Sequence, residues 1–325
     1  MTSSLASLVD RTVDRVLDRS VVGGYTKLGY WARRHAWPDD DPRPGSMAGR
    51  TVLVTGASSG LGKAATARLA RLGATVHLLV RNEERGAAAR EDLLRTVPDA
   101  RFEMVRVDMA DLDDVRTVGA ALASSLPRID VLVHNAGVMP PTREETAQGH
   151  ETTLAVHVLG PLLLTELLRG PISAAHGRVV LVTSGGMYAQ RLPADDVEYT
   201  ASAYKGATAY ARSKRMQVAL LPLMQERWAP DGIGVHAMHP GWADTPGVAT
   251  SLPLFHTLTG PLLRDPDAGA DTIVWLAATE PAPASGLLWH DRRDRPTHLL
   301  RRTRTGETER EQLWAWCREA AGLEV

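Results

Sequence analysis

The chain has almost no cysteine: Cys317 is the one thiol in 325 residues. Internal disulfides are therefore excluded, and so is a cysteine-rich metal site. A reducing compartment fits this usage, and a cytoplasmic location is expected. Net charge is nearly absent too, at −1. A nucleic-acid binder would carry a basic excess, so no such partner is expected. No apolar run approaches the ~20 residues that a bilayer-spanning helix needs. The first residues lack the apolar core and cleavage site of a secretory signal. Repeats and low-complexity blocks are missing as well. What remains, 44% hydrophobic and 23% charged, is the composition of an ordinary globular protein. The length allows one large α/β domain or two small ones.

The stretch Thr51-Val52-Leu53-Val54-Thr55-Gly56-Ala57-Ser58-Ser59-Gly60-Leu61-Gly62 organises the rest. Residues 51–55 are β-branched or apolar and uncharged, as a short buried strand requires. Gly56, Gly60 and Gly62 follow, and then an amphipathic run over 63–72. Strand, glycine turn and helix make a dinucleotide site. The glycines allow unusual backbone angles and close approach to phosphate. The helix then points free N–H groups and its positive dipole end at the pyrophosphate. Thr55, Ser58, Ser59 and Leu61 complete this candidate cofactor turn. Strand-like runs at 75–80, 102–107 and 131–133 alternate with helix-like runs at 83–96 and 112–126. That rhythm predicts a parallel sheet covered on both faces. Later strands are expected at 178–184, 233–238 and, last, 287–289, with helices over 268–278 and 307–321. The fold class is α/β: a doubly wound Rossmann fold, mostly parallel, of about seven strands.

The tip of the second strand selects the cofactor. An acid there would bind the ribose hydroxyls of NAD, whereas an arginine accommodates the 2′-phosphate of NADP. Val80 is followed by Arg81-Asn82, with no acid. Arg81, with Asn82 beside it, is the candidate phosphate contact, and NADP(H) is favoured over NAD. A solvated loop arginine is the competing reading.

The catalytic candidates lie downstream. A buried strand ends in Ser184, and Tyr210-Ala211-Arg212-Ser213-Lys214 follows. Of the six tyrosines, Tyr210 alone has a lysine four residues on; Tyr204 faces Thr208 at that spacing. Carbonyl reduction needs a hydride and a proton, and oxidation reverses both. A free phenol, with a pKa of about 10, is a poor base at neutral pH. Lys214 sits one helical turn away on the same face. Its ammonium should lower the Tyr210 pKa. Ser184 would stabilise charge developing on the substrate oxygen. A surface helix pair and a strand-end serine is the bland alternative. His236 and His239 have no acid or cysteine set around them, and no metal site is read there.

Thr-Gly-x-x-x-Gly-x-Gly, His134-Asn135-Ala136-Gly137 and Tyr-x-x-x-Lys together resemble the short-chain dehydrogenases/reductases, over roughly residues 48–320. The resemblance implies several roles. Asp108, with Met109 beside it, would meet the adenine, although a helix-capping role competes for that stretch and Asp111 is better placed for it. Asn135 would tie its strand to the cofactor strand, with Ala136 adjoining. Gly137 would let the backbone pass the adenosine ribose. Lys214 would also bind the nicotinamide ribose, beside Tyr210. Pro240, Gly241 and Trp242 resemble the nicotinamide loop, and Thr245 the contact to the carboxamide and diphosphate. Two positions depart from the pattern. His134 stands where an asparagine is usual. His157 replaces the asparagine that bends its helix and holds a water leading to the lysine. Gly-Gly-Met after Ser184, Tyr-Ala-x-x-Lys-Arg, and His-Pro-Gly-Trp-Ala-Asp-Thr-Pro-Gly resemble the dehydrogenase/reductase member 12 type, which is related to retinol dehydrogenases.

Residues 1–47 read as a helical extension and linker, and 48–325 as one NADP-binding oxidoreductase domain. Leu5, Leu8, Val9, Val13, Val16 and Leu17 make an apolar stripe, opposite a face of balanced charge. Surface-binding helices are usually basic, so packing on protein is favoured over membrane contact. Gly23-Gly24 should break that helix. Tyr25, Tyr30, Trp31 and Trp37 should pack on the main body. Residues 185–204 read as an insertion beside the substrate pocket. Val248, Leu252, Leu254, Phe255, Leu258, Leu262 and Leu263 are expected as an apolar cover over the substrate, or else as oligomer contact or core. The function expected is hydride transfer between NADP(H) and an apolar carbonyl or alcohol. The alternative is a catalytically weak NADP(H)-binding sensor or scaffold. A homo-oligomer is expected by analogy alone.

Overall fold

A computed structural model describes residues 14, 17, 18, 20–251 and 253–324. Asp14, Leu17 and Asp18 are helical, and two short helices follow, α1 (Val21–Tyr25) and α2 (Lys27–Arg34). The first half then runs β1 (Thr51–Thr55), α3 (Gly60–Arg71), β2 (Thr75–Val80), α4 (Glu83–Thr96), β3 (Arg101–Arg106), α5 (Leu112–Ser125) and β4 (Val131–His134). A helical stretch follows: one α turn (Thr152–Leu154), a π turn (Ala155–Leu159), α6 (Gly160–Leu167) and α7 (Arg169–Ala174). The second half runs β5 (Arg178–Val182), α8 (Gly206–Trp228), β6 (Gly234–Met238), α9 (Pro246–Ser251), α10 (Pro253–Thr259), α11 (Pro266–Ala278), β7 (Leu287–His290), β8 (Arg293–Arg295) and α12 (Glu307–Ala320).

The strands make one eight-stranded sheet in the order β3-β2-β1-β4-β5-β6-β7-β8. All neighbours are parallel except β7 and β8, whose register is Leu288 to Arg295. The eighth strand exceeds the seven expected. It is three charged residues long and carries no apolar alternation from which to read it. β4 and β5 are buried along their whole length, as parallel strands covered on both faces must be. One face packs under α5, α6 and α8 through Val115, Leu122, Leu162, Leu163, Leu220 and Leu221. The other packs under α3 and α11 through Ala65, Leu69, Ile273 and Val274. Each fully buried aliphatic side chain contributes about 1.5–3 kcal/mol relative to exposure. Strand order reverses between β1 and β4. The carboxyl ends of β1, β4, β5 and β6 therefore open on one crevice, where ligands of such sheets bind.

The N-terminal apolar stripe lies mostly outside the described residues. Gly23 and Gly24 do not break a helix: both are inside α1. They allow close packing on the turn before them: a Cβ on Gly23 would lie 2.4 Å from the Ser20 hydroxyl and one on Gly24 2.4 Å from the Leu17 carbonyl oxygen. A Cβ on Gly29 of α2 would lie 2.3 Å from the Gly23 carbonyl oxygen and 2.7 Å from that of Gly24. Of the aromatic group, Tyr25 is buried and Trp37 lies under the Arg292 guanidinium. Trp31 does not pack on the body; it is 64% exposed, edge-on to His35. Leu252 and the side chains of Val248 and Phe255 fall outside the described residues. Leu254 and Leu258 are exposed, so the core reading fails for them, whereas Leu263 is buried.

Candidate active site

Thr55 closes β1 and is buried. Its hydroxyl accepts the N–H groups of Asn135 (2.9 Å) and Ala136 (3.0 Å) and donates to the Val133 carbonyl (3.3 Å). The Asn135 amide donates back to the Thr55 carbonyl at 3.0 Å and to the Gly56 carbonyl at 3.3 Å. The tips of β1 and β4 are thus stapled together. Gly56 has φ +66°, and a Cβ there would sit 2.9 Å from the Ala136 Cα. At Gly62 a Cβ would sit 2.4 Å from the Asn135 amide nitrogen and from the Gly56 carbonyl oxygen. A side chain at either position would wedge the turn apart. α3 begins at Gly60, three residues earlier than the amphipathic pattern suggests, because the last two glycines form its first turn. Its N-cap, Ser59, makes no side-chain cap, which leaves first-turn N–H groups for an anion. Ser58 and Leu61 are half-buried beside it.

At the end of β2, Arg81 is exposed and forms no ion pair among the described residues. The Asn82 side-chain oxygen caps α4 by accepting the Arg85 N–H at 2.8 Å. Asp108 accepts the Ala110 N–H at 3.0 Å, while Asp111 caps α5 through Asp113 and Asp114. Met109 is buried against Gly160, where a Cβ would meet the Met109 carbonyl oxygen at 2.5 Å.

β5 and α8 bring the reactive side chains together. The Lys214 ammonium donates to the Val182 carbonyl at 2.8 Å, and the Thr183 hydroxyl donates to the Lys214 carbonyl at 2.9 Å. These bonds fix the register between strand end and helix. The Ser184 side chain lies close enough to the Tyr210 phenol to favour its ionised form. Burial raises the Tyr210 pKa, and the neighbouring Ser184 offsets part of that. The expected lowering by Lys214 is therefore corrected. Lys214 Nζ lies 5.5 Å from the Tyr210 ring centre, and burial drives its own pKa from 10.5 to about 7. A lysine only partly charged at neutral pH does little to favour a phenolate.

His157 sits in the π turn Ala155–Leu159, fully buried, its ring edge-on to that of Tyr210 at 5.3 Å. Nε2 accepts the Val138 N–H at 3.1 Å, so the proton is on Nδ1, which donates to the Ser213 hydroxyl at 2.7 Å. That hydroxyl in turn donates to the Tyr210 carbonyl at 2.8 Å. Burial holds the ring neutral. The His157 carbonyl accepts the Gln217 amide at 2.8 Å. Both ring nitrogens and the carbonyl are thus committed to protein groups, a different arrangement from a water-holding asparagine. His157→Leu should lower stability by about 1–3 kcal/mol in urea denaturation, since it leaves the part-buried Val138 N–H and the Ser213 hydroxyl without their ring partner. His134 is committed through one nitrogen only: Nε2 lies 2.8 Å from the Thr165 hydroxyl, Nδ1 is buried without a partner, and burial lowers the pKa to about 3.

Residues 185–204 are tied down rather than loose. Asp196 pairs with Arg212 at 3.1 Å, the Tyr188 hydroxyl donates to the Pro296 carbonyl, and the Tyr204 hydroxyl donates to Glu151 at 2.8 Å. The loop after β6 carries Pro240, Gly241 at φ +73°, Trp242 and Thr245. Its backbone is held from outside: the Trp242 N–H donates to the Tyr25 carbonyl at 2.7 Å, and the Arg264 N–H donates to the Trp242 carbonyl at 2.8 Å. Sequence reasoning put Tyr25 on the main body but not at this loop, and it missed Arg264 and the buried Asp291 that pairs with Arg264. The one available signal was the density of charge in His290-Asp291-Arg292-Arg293-Asp294-Arg295, directly after an apolar strand. His239 stacks on His290 with ring centres 4.0 Å apart. Among the described residues no group of three or more histidine, cysteine and acidic side chains is placed to hold a metal, and no helix is long and apolar enough to cross a membrane.

A family model described as short chain dehydrogenase matches residues 50–253. The dehydrogenase/reductase SDR family member 12 of Bos taurus is 38% identical over 297 residues, 89% of this chain and 91% of that protein. A putative daunorubicin C-13 ketoreductase of Streptomyces sp. strain C5 is 38% identical over 270 residues, 81% of this chain and 88% of that one. Among solved structures, a putative NAD(P)-dependent gluconate 5-dehydrogenase of Beutenbergia cavernae, with NADP bound at low occupancy, is 27% identical with a TM-score of 0.59. That match covers 73% of this chain and 92% of the other. Sequence and fold agree: the chain belongs to the short-chain dehydrogenases/reductases.

Proposed function

We propose that the protein is an NADP(H)-dependent oxidoreductase that moves a hydride between the nicotinamide and an apolar ketone, aldehyde or alcohol. The observation that carries this reading is the Tyr210–Ser184 hydroxyl pair at the mouth of the crevice, with Lys214 buried one turn along the same helix. The turn at Gly56–Gly62 suits a dinucleotide: its glycines leave room where a Cβ would intrude, and α3 is uncapped. Thr55, Gly56, Ser58, Ser59, Gly60, Leu61 and Gly62 would hold the pyrophosphate. Asp108, Met109, Asn135, Ala136 and Gly137 would line the adenosine side. Pro240, Gly241, Trp242 and Thr245 would line the nicotinamide side. When bound, the nicotinamide supplies or accepts the hydride. The protein's own part is the proton and the charge. The Tyr210 phenol, held protonated at neutral pH by burial, gives its proton to the carbonyl oxygen during reduction. The Ser184 hydroxyl stabilises negative charge growing on that oxygen. Lys214 would hold the nicotinamide ribose hydroxyls. A cytoplasmic location and a homo-oligomer complete the proposal.

A panel of apolar ketones and aldehydes with NADPH, read as loss of the reduced cofactor's absorbance, tests the reading. Turnover of one or more supports it, and failure across the panel with intact NADPH binding favours a sensor. Arg81 tests the cofactor choice. Arg81→Ala should weaken NADPH binding by roughly 10- to 100-fold and change NADH binding by less than about twofold, since only the former carries the 2′-phosphate. Equal losses for both cofactors would remove Arg81 from that role.

A further inference from the structure

A buried charge cluster joins the N-terminal helices to the loop after β6. The Arg264 guanidinium, 1% exposed, donates to both carboxylate oxygens of Asp291 at 2.6 and 2.9 Å. It also donates to three carbonyls of the N-terminal segment: Gly24 at 2.9 Å, Tyr25 at 3.0 Å and Thr26 at 3.2 Å. Arg33 of α2 reaches the same Asp291 at 2.7 Å, the Gly24 carbonyl at 2.8 Å and Asp14 at 2.7 Å. Arg295 closes the set on Asp14 at 2.8 and 3.0 Å. A hydrophobic core of the same volume would cost less desolvation. What the cluster holds is therefore informative.

It holds Tyr25. The Tyr25 carbonyl accepts from the Arg264 guanidinium and from the Trp242 N–H. The Arg264 backbone pairs with the loop on both sides, through the Trp242 carbonyl and the Asp244 N–H, each at 2.8 Å. Gly241 has no room for a side chain: a Cβ would fall 2.6 Å from the Tyr25 carbonyl oxygen and 2.8 Å from the Arg264 guanidinium. The Tyr25 ring is edge-on to His239 at 4.8 Å, and a Cβ on Gly185 would fall 2.6 Å from it. One residue thus touches both the backbone next to Ser184 and the two ends of the Pro240–Trp242 turn. The matched family region begins at residue 50, so this contact comes from outside it.

We infer that the Val21–Arg34 segment is part of the cofactor site, with Tyr25 and Arg264 as positioning residues that hold Gly241–Asp244 in the shape that binds the nicotinamide end of NADP(H). The inference rests on the function proposed above. Its test needs no substrate: NADPH affinity is read by fluorescence titration, beside thermal unfolding. Arg264→Met should weaken NADPH binding by at least about tenfold. Because that change leaves Asp291 underpaired, a variant that orphans no charge is needed as well. Gly29→Ala sets a Cβ against the Gly23 and Gly24 carbonyls and shifts α1, and Tyr25 with it. It should weaken binding about three- to tenfold. Trp31→Ala, on the exposed side of α2, should leave affinity unchanged. Leu313→Ala, a cavity in α12 far from the loop in sequence, should lower the melting temperature and not the affinity. Wild-type affinity in Gly29→Ala, or a matching loss in Leu313→Ala, overturns this role of the Val21–Arg34 segment while the oxidoreductase reading stands. Failure of the unaltered protein to bind NADPH would remove both.

Discussion

Tyr210→Phe is expected to lower kcat on the order of 1000-fold while NADPH affinity stays within about twofold. One oxygen is deleted, and the ring keeps its edge contact with His157 and its place above Lys214. No cavity of consequence opens, so the fold should lose less than about 1 kcal/mol. What goes is the proton donor and the partner of Ser184. Ser184→Ala removes one stabiliser of oxygen charge and should cost about 100- to 1000-fold in kcat, again with cofactor affinity kept. The pH dependence carries a sign. Burial raises the phenol's pKa, so carbonyl reduction finds its acid intact at neutral pH. Alcohol oxidation needs the phenolate and should rise with pH instead. Single-turnover rates in both directions, with NADPH titration of each variant, decide the matter. A Tyr210→Phe variant that retains more than about a tenth of the wild-type rate would take Tyr210 out of the acid/base role.

The parts of the fold that alternate apolar runs with glycine or capped helices are legible in the sequence itself. Thr51–Thr55, Thr75–Val80 and Glu83–Thr96 fall where their patterns put them. The Ser184, Tyr210 and Lys214 convergence could be read because Ser184 follows a fully buried strand and Tyr210 and Lys214 stand one turn apart on a largely buried helix. Three features were not legible, and each is set by contacts remote in sequence. β8 is a charged triplet that pairs only because β7 offers an edge. Gly23 and Gly24 look like helix breakers, yet they lie inside α1, and its close contact with α2 depends on Gly29, which no local pattern encodes. The direction of the Tyr210 pKa depended on depth of burial: spacing placed an ammonium one turn away, but could not say that the same depth would discharge the lysine.

Lys214→Met is expected to stabilise the protein and inactivate it together. Burial lowers the lysine's pKa from 10.5 in the unfolded chain to about 7 in the fold. The folded pKa is the lower one, so folding is opposed wherever the unfolded chain binds the proton more tightly. Below about pH 7 both states carry the charge and the native state bears the whole penalty. Between about pH 7 and 10.5 the native lysine is largely neutral, the unfolded one is still protonated, and stability from this group climbs with pH. A shift of that size corresponds to roughly 4–5 kcal/mol as an upper bound. Methionine has similar reach and carries no charge, but it leaves the Val182 carbonyl without its donor, which returns about 1–3 kcal/mol. The net gain should be about 1–4 kcal/mol near pH 6, should cross zero as pH rises, and should become a loss of about 1–3 kcal/mol above about pH 10, read as the difference in urea midpoints at several pH values. NADPH affinity should fall with it if the ammonium clamps the nicotinamide ribose, and kcat should fall further, on the order of 100-fold. A variant that is less stable than the wild type at pH 6 would mean that Lys214 is well paired rather than stranded. The low pKa, and the partly neutral lysine inferred from it, would then be wrong.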